Sequence, residues 1–339
     1  MRKPLSRRKK LLFASVLPGL LLLAELGARL AGFPCGLVRS TTGLWAEDGE
    51  RALGPFRPGH RASIMWPPEL TYAVEVNQLG FRGPAPAPER PLVACLGDST
   101  TFGMYVAEEA TYPALLGGQL RARGIEAGVL NAGCPRWTIS DQREQLETLL
   151  PRLRPRAVVL MFCGNDLVEL DKTPARERVL EDRSTPRLFE LLALPEALLW
   201  ARLEGGRAWK RLRGQWPEPL RADQGFTAER DLALWQRYAQ ELAHARALCA
   251  EQGARLLVTA FPAYLEVETA EPCHVEQVFP GLVRQAGAEY LDLYPAFRAA
   301  HRPGEGDLFL LPQDAHATPA GNELIAREVA AALARGWGG

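Results

Sequence analysis

The stretch VACLGDSTTFGMYV, Val93 to Val106, decides how the chain is read. An apolar run halts at Gly97-Asp98-Ser99, two threonines follow, and Gly103 closes the segment. A short apolar run bounded by turn residues reads as a buried strand, and Asp-Ser at its end reads as the start of a helix. Ser99 thus stands at a strand-to-helix turn. It is either a plain helix cap or a hydroxyl presented for nucleophilic chemistry.

Working outward, the same pattern recurs. Apolar runs at Leu92 to Leu96, Ile125 to Leu130, Ala157 to Phe162, Arg255 to Phe261 and Tyr290 to Leu293 are short enough for buried strands. Helical segments lie between them: Thr111 to Arg123 closed by Gly124, Ser140 to Leu150 closed by Pro151, and Glu229 to Gln252 closed by Gly253. On the last of these, Trp235, Tyr238, Leu242, Ala245 and Cys249 recur at three- and four-residue steps and make one apolar face. Strand and helix alternating in this way predict an α/β fold with a mostly parallel, five-stranded sheet covered on both faces. Ligands of such sheets bind beyond the carboxyl ends of the strands. Ser99 is at one of those ends.

The 339 residues carry 40 basic and 40 acidic side chains, a balance without a basic stripe that excludes a nucleic-acid footprint. Charge is uneven only at the start, where Arg2, Lys3, Arg7, Arg8, Lys9 and Lys10 precede an apolar run from Leu11 to Ala24. Residues 1–33 therefore have the form of an export signal, with an uncleaved membrane anchor favoured over a cleaved peptide. An anchor places the rest of the chain on the extracytoplasmic, periplasmic side, and cleavage would release it. Glu25 and Arg29 can pair one helical turn apart, and GFPC at Gly32 to Cys35 does not have the form of a lipidation site.

Residues 34–90 are rich in Pro and Gly and read as a linker or a wrapped extension, ahead of a main domain at 91–339. Within that domain, 171–228 breaks the alternation and reads as a helical insertion carrying Trp200, Trp209 and Trp216. The six cysteines show no disulfide spacing, and five histidines without a His-x-x-x-His pair or a Cys-x-x-Cys offer no metal site.

Polar clusters follow the strands. After the first come Gly97, Asp98 and Ser99; after the second NAGCPRWT, Asn131 to Thr138; after the third CGNDL, Cys163 to Leu167; and near the C-terminus QDAHATPAGNELIA, Gln313 to Ala326. Together the four blocks resemble the SGNH (GDSL-type) esterase and lipase superfamily over about residues 77–334. The upstream NQLGFRG, Asn77 to Gly83, resembles the lead-in of membrane-anchored bacterial members. The resemblance implies a flavodoxin-like, three-layer α/β/α sheet and a serine esterase mechanism that needs no cofactor.

It also implies roles. Ser99 would be the nucleophile, His316 its base and Asp314 the carboxylate that orients the imidazole. The oxyanion would meet the Ser99 N–H, a second-block N–H from Arg136 or Gly133, and the Asn165 side chain. Asp98, Asp166 and Asn131 would support these groups from behind. Three positions depart from the family pattern: Arg136 stands where N-x-x-x-x-G-x-T has glycine, Cys163 stands where G-x-N-D has glycine, and Asp314 is two residues before His316 where three is commoner. Trp137 is open between lining the pocket and packing, and His60, His244, His274 and His301 are expected to be structural or solvated. The substrate expected is an ester or acylated glycan. The alternatives are O-acyl transfer to an envelope polysaccharide and a non-catalytic binding protein on the same fold.

Overall fold

The structure is a computed structural model; it describes residues 7–31, 37–38, 44–47, 49–64, 70–170, 228–268, 272–302, 308–310 and 315–337, with scattered residues between 194 and 213. The expected insertion at 171–228 therefore falls almost wholly outside the described residues, as do Cys35 and Asp314.

The basic and apolar N-terminal segment forms helix α1, Arg7–Leu30, with Pro18 inside it and Glu25 paired to Arg29 at 2.6 Å. Its charge-free stretch, Leu11 to Ala24, rises only about 21 Å, against a hydrocarbon core of about 30 Å. Among the described residues no helix is long and apolar enough to cross a membrane. The expected membrane anchor finds no support in this helix, because charges at both ends cut the apolar run short. Leu17, Leu20, Leu21, Leu22, Leu23 and Leu26 are all exposed on α1.

Next come β1 (Leu37–Val38), β2 (Arg61–Ile64) and β3 (Tyr72–Glu75), a small sheet in the order β1-β2-β3. Burial alternates along β3, with Tyr72 and Val74 inward, as a one-sided strand requires. Those side chains join Leu44, Trp45, Phe56, Ile64 and Val76 in a buried cluster that continues into Phe102, Tyr105, Cys134 and Trp137. The region that read as linker or extension is thus packed onto the Ser99 segment.

The main sheet contains β4 (Leu92–Gly97), β5 (Gly128–Gly133), β6 (Ala157–Phe162), β7 (Arg255–Ala260) and β8 (Glu289–Leu291), all parallel, in the order β5-β4-β6-β7-β8. This is the doubly wound, flavodoxin-like order, with the first strand between the second and third. Alternate residues serve opposite layers. Ala94, Leu96, Val158 and Leu160 pack against α4 (Ile139–Leu153), α6 (Ala228–Glu251) and α8 (His274–Gln285) through Leu146, Tyr238, Leu242 and Phe279. Val93, Cys95, Val159 and Met161 pack against α3 (Tyr112–Arg121), α9 (Tyr294–Ala300) and α10 (Pro319–Ala334) through Leu116, Phe297, Ile325 and Val329. The short helices α2 (Ser99–Phe102), α5 (Gly164–Glu169) and α7 (Tyr264–Glu268) follow β4, β6 and β7 at their carboxyl ends.

Two elements end three residues beyond the sequence reading. The second strand runs three residues later than its apolar run, because Asn131 stays in the ladder opposite Cys95 and the polar block begins inside the strand. Pro151 does not close its helix, which reaches Leu153. Leu149, Leu150 and Leu153 pack into the core there and hold the last turn despite the missing donor.

Candidate active site

At the carboxyl ends of β4 and β5, Gly97 lies opposite Gly133. Neither position has room for a side chain: a Cβ on Gly97 would stand 2.1 Å from Thr101 Oγ1, and one on Gly133 would stand 2.2 Å from the Phe102 nitrogen. The two glycines let α2 sit directly on the strand ends. Asp98 caps that helix, its Oδ1 accepting from the Thr100 N–H at 2.9 Å. Gly103 ends it in the left-handed region with its N–H on the Ser99 carbonyl. Ser99, 9% exposed, is the first residue of this single turn. It stands where the neighbours of the first strand diverge, at the switch point of the sheet.

The partner comes from the far end of the chain: His316 Nε2 lies 2.7 Å from Ser99 Oγ. The same hydroxyl is 3.3 Å from Asp98 Oδ2, and its one proton serves one of these at a time. The loop bearing His316 is tied on both sides, with Leu310 N–H on the His316 carbonyl at 2.9 Å and Thr318 N–H on the Leu308 carbonyl at 3.0 Å. Thr318 caps α10, accepting from the Gly321 N–H at 3.1 Å, so the cap and the imidazole are built by one loop. The Tyr105 ring stands edge-on to His316 with centroids 5.2 Å apart.

The second block holds itself in place. Asn131 Nδ2 donates to the Phe102 carbonyl at 3.2 Å. Gly133, an expected oxyanion donor, instead gives its N–H to Asn131 Oδ1 at 3.1 Å, and its contribution is the close approach of α2. Beyond it, Trp137 N–H closes a turn on the Cys134 carbonyl at 3.1 Å. Proline at the second position of that turn and φ of 69° at Arg136 define a type II turn, which prefers glycine where Arg136 stands. A non-glycine residue there stores strain on the order of 1–3 kcal/mol. The Arg136 N–H lies outside the turn's own hydrogen bond, and its side chain is exposed. Trp137 is buried against the extension and also edges a cleft of 690 Å³ shared with Trp45, Arg51 and Gln145.

In the third block, Cys163 has φ of −125° and ψ of 151°, extended backbone that needs no glycine. Its Sγ is 3.0 Å from Asp98 Oδ1 and 3.3 Å from Thr100 Oγ1. Burial, and then the Asp98 charge, push the thiol well above its ordinary range, so Cys163 is a neutral donor to Asp98. Asp166 is fully buried and accepts from the Cys163 N–H at 3.2 Å. Burial first and Asp98 second push its carboxyl well up. Asn165, half-buried, is the second residue of α5, directly after β6.

Residues 95–324 match the GDSL-like Lipase/Acylhydrolase family. The chain belongs to this family. It is an SGNH hydrolase of the esterase type. Similar solved structures include TesA, with a TM-score of 0.44 and 16% identity over 71% of this chain and 97% of that one. Another is the acetyl xylan esterase AlAXEase, with a TM-score of 0.42 and 16% identity over 71% and 99% of the two chains. A third is Axe2, an acetylxylan esterase from Geobacillus stearothermophilus, at 0.42 and 16% over 70% and 92%. No curated protein sequence matches the chain.

Three residues around this site lie inside the quoted stretches but have no role assigned from the sequence. Asn322, buried in α10, accepts from the Tyr112 N–H at 3.0 Å and donates to the Ala317 and Thr318 carbonyls at 3.2 and 3.0 Å. It locks the His316 loop to the helix that follows the Ser99 segment. Tyr105 adopts φ of 68°, a rare conformation for a bulky residue and a sign that its surroundings hold it there. Arg82, inside the quoted NQLGFRG, is fully buried. Elsewhere, His301 is buried 3.7 Å from Glu268, and among the described residues no group of His, Cys, Asp or Glu is arranged to hold a metal ion.

Proposed function

We propose that this SGNH hydrolase cleaves a carboxylic ester or O-acetyl substrate outside the cytoplasm through an acyl-enzyme on Ser99. The observation that carries the reading is the 2.7 Å contact between Ser99 Oγ and His316 Nε2. Ser99 Oγ attacks the ester carbonyl carbon as its proton passes to His316 Nε2, giving a tetrahedral oxyanion. The Ser99 N–H, the Arg136 N–H and the Asn165 amide are the donors assigned to that oxyanion. Collapse breaks the bond to the alcohol, which leaves with the proton from His316. Water then attacks the acyl-enzyme, His316 takes its proton, and the acid is released from Ser99. The imidazole must carry its resting proton on Nδ1 for this cycle, and Asp314 is the carboxylate assigned to hold it there.

The basic and apolar N-terminal segment supports delivery of the domain to the periplasmic side, with α1 lying at the membrane or removed after export. Cell fractionation with an antibody against the catalytic domain tests that placement, and a purely cytoplasmic pool would reject it. The nucleophile is tested by a fluorophosphonate probe on the purified chain. Wild type is expected to label, and Ser99→Ala to lose both label and turnover of p-nitrophenyl acetate. Unchanged turnover in Ser99→Ala defeats the assignment. Transfer in place of hydrolysis is read in the same assay by titrating a sugar acceptor, which must then receive the acyl group.

A further inference from the structure

A four-residue helix such as α2 cannot hold itself together, since nucleation costs more than one turn of hydrogen bonds returns. Its last carbonyls and those of the loop after it also lack helical partners. Arg82 supplies them. Its Nη1 donates to the Phe102 and Gly103 carbonyls at 3.0 and 2.6 Å, and its Nη2 donates to the Val106 carbonyl at 2.8 Å and the Ala73 carbonyl at 3.4 Å. Arg82 Nε lies 2.7 Å from Glu108 Oε2. The guanidinium carbon is 4.9 Å from the centre of the Phe102 ring and 5.3 Å from that of Tyr72.

Those rings lead to the base. Tyr72 meets Tyr105 edge-on at 6.0 Å, and Tyr105 meets His316 at 5.2 Å. One buried cation therefore pins both the far end of the Ser99 helix and the wall on which the His316 ring rests. Burial works against both members of its ion pair, drawing Arg82 down and Glu108 up from their ordinary values. An apolar side chain would suit stability alone as well or better. A planar fork that reaches three carbonyls of one short segment while stacked on two rings fits a need for geometry.

We propose that Arg82 is a positioning residue of the catalytic dyad, acting on Ser99 through α2 and on His316 through Tyr72 and Tyr105. The proposal rests on the Ser99–His316 assignment above. It is tested on the full chain with p-nitrophenyl acetate and a fluorophosphonate, comparing wild type, Arg82→Lys, Tyr105→Leu and Ser99→Ala. Arg82→Lys is expected to keep the near-UV circular dichroism and a KM within about twofold, while kcat and labelling rate fall together by on the order of 10²-fold. Tyr105→Leu is expected to move the acidic limb of the kcat/KM pH profile, which reports the free base.

Wild-type kcat and labelling per folded molecule in Arg82→Lys would overturn the proposal, and an unmoved acidic limb in Tyr105→Leu would overturn its His316 arm. If Arg82→Lys does not fold, Glu108→Gln takes its place. A folded Glu108→Gln with wild-type kcat counts against the proposal, and a selective fall in kcat supports it. Turnover persisting in Ser99→Ala would instead strike the dyad itself.

Discussion

The two halves of the proposed dyad are built in opposite ways. Ser99 is held by its own neighbourhood: the paired Gly97 and Gly133, the Asp98 cap, and the Cys163 thiol behind that cap. His316, 217 positions away, is placed by a loop fastened to Leu308 and Leu310, by Asn322 on the Tyr112 backbone, and by the Tyr105 ring. The first half is rigid because close packing leaves it no alternative. The second is precise only while several distant contacts agree. Substitutions that disturb the close packing on the Ser99 side should therefore damage folding and catalysis together, and those on the His316 side should damage catalysis alone.

The largest expected effect is on the looser half. His316→Ala should lower kcat by about 10⁴-fold or more, as loss of a triad base does, with little change in thermal midpoint. Calorimetry beside p-nitrophenyl acetate kinetics checks both. A large fall in midpoint would show that the imidazole is also structural and would blur the contrast. Next comes the tighter half. Gly133→Val would drive side-chain atoms into the Phe102 nitrogen and the Thr101 carbonyl carbon. A loss of more than about 3 kcal/mol is expected in urea unfolding, since backbone cannot yield there as a side-chain tip can. A folded, active Gly133→Val would mean that α2 can lift off the sheet, and the claim of rigidity would fall.

The same contrast governs what could be read in the sequence. Four strands follow from apolar runs, the flavodoxin-like sheet follows from the family resemblance, and Ser99, Asn165 and His316 stand in blocks whose residue types and order survive without coordinates. Their roles remain assignments for the kinetics to test. What escaped was what acts over distance. Asn322 is an unremarkable polar residue in a helical stretch until its amide is seen on Tyr112. Arg82 lies in a Pro- and Gly-rich stretch where no apolar period marks a core, yet it is among the most buried side chains in the chain. The second strand was misplaced by three residues because a polar side chain, Asn131, occupies a ladder position. An apolar-run criterion cannot see a strand whose last turn of sequence belongs to the site.

The smallest expected effect concerns the charge buried on the Ser99 side. Asp166 has one donor, the Cys163 N–H on Oδ2, while its Oδ1 is buried without a hydrogen-bond partner among the described residues. Burial and the neighbouring Asp98 raise its folded pKa well above the ordinary 3.8. The folded chain then binds a proton that the unfolded chain has released, and the sign follows from linkage: stability from this group is present below pH 3.8 and is lost as pH rises through the folded value. Asparagine keeps an oxygen for the Cys163 N–H and carries no charge to bury. Asp166→Asn should therefore match wild type in thermal midpoint at acid pH and exceed it increasingly as the pH rises from 3.8 toward the raised folded value. Every other titrating group is common to both proteins, so the difference between their midpoints reads this carboxyl together with its coupling to Asp98. A difference that stayed flat with pH would mean that Asp166 ionises freely in the folded state. The Ser99 side would then be as well solvated as the His316 side, and packing alone would set the two apart.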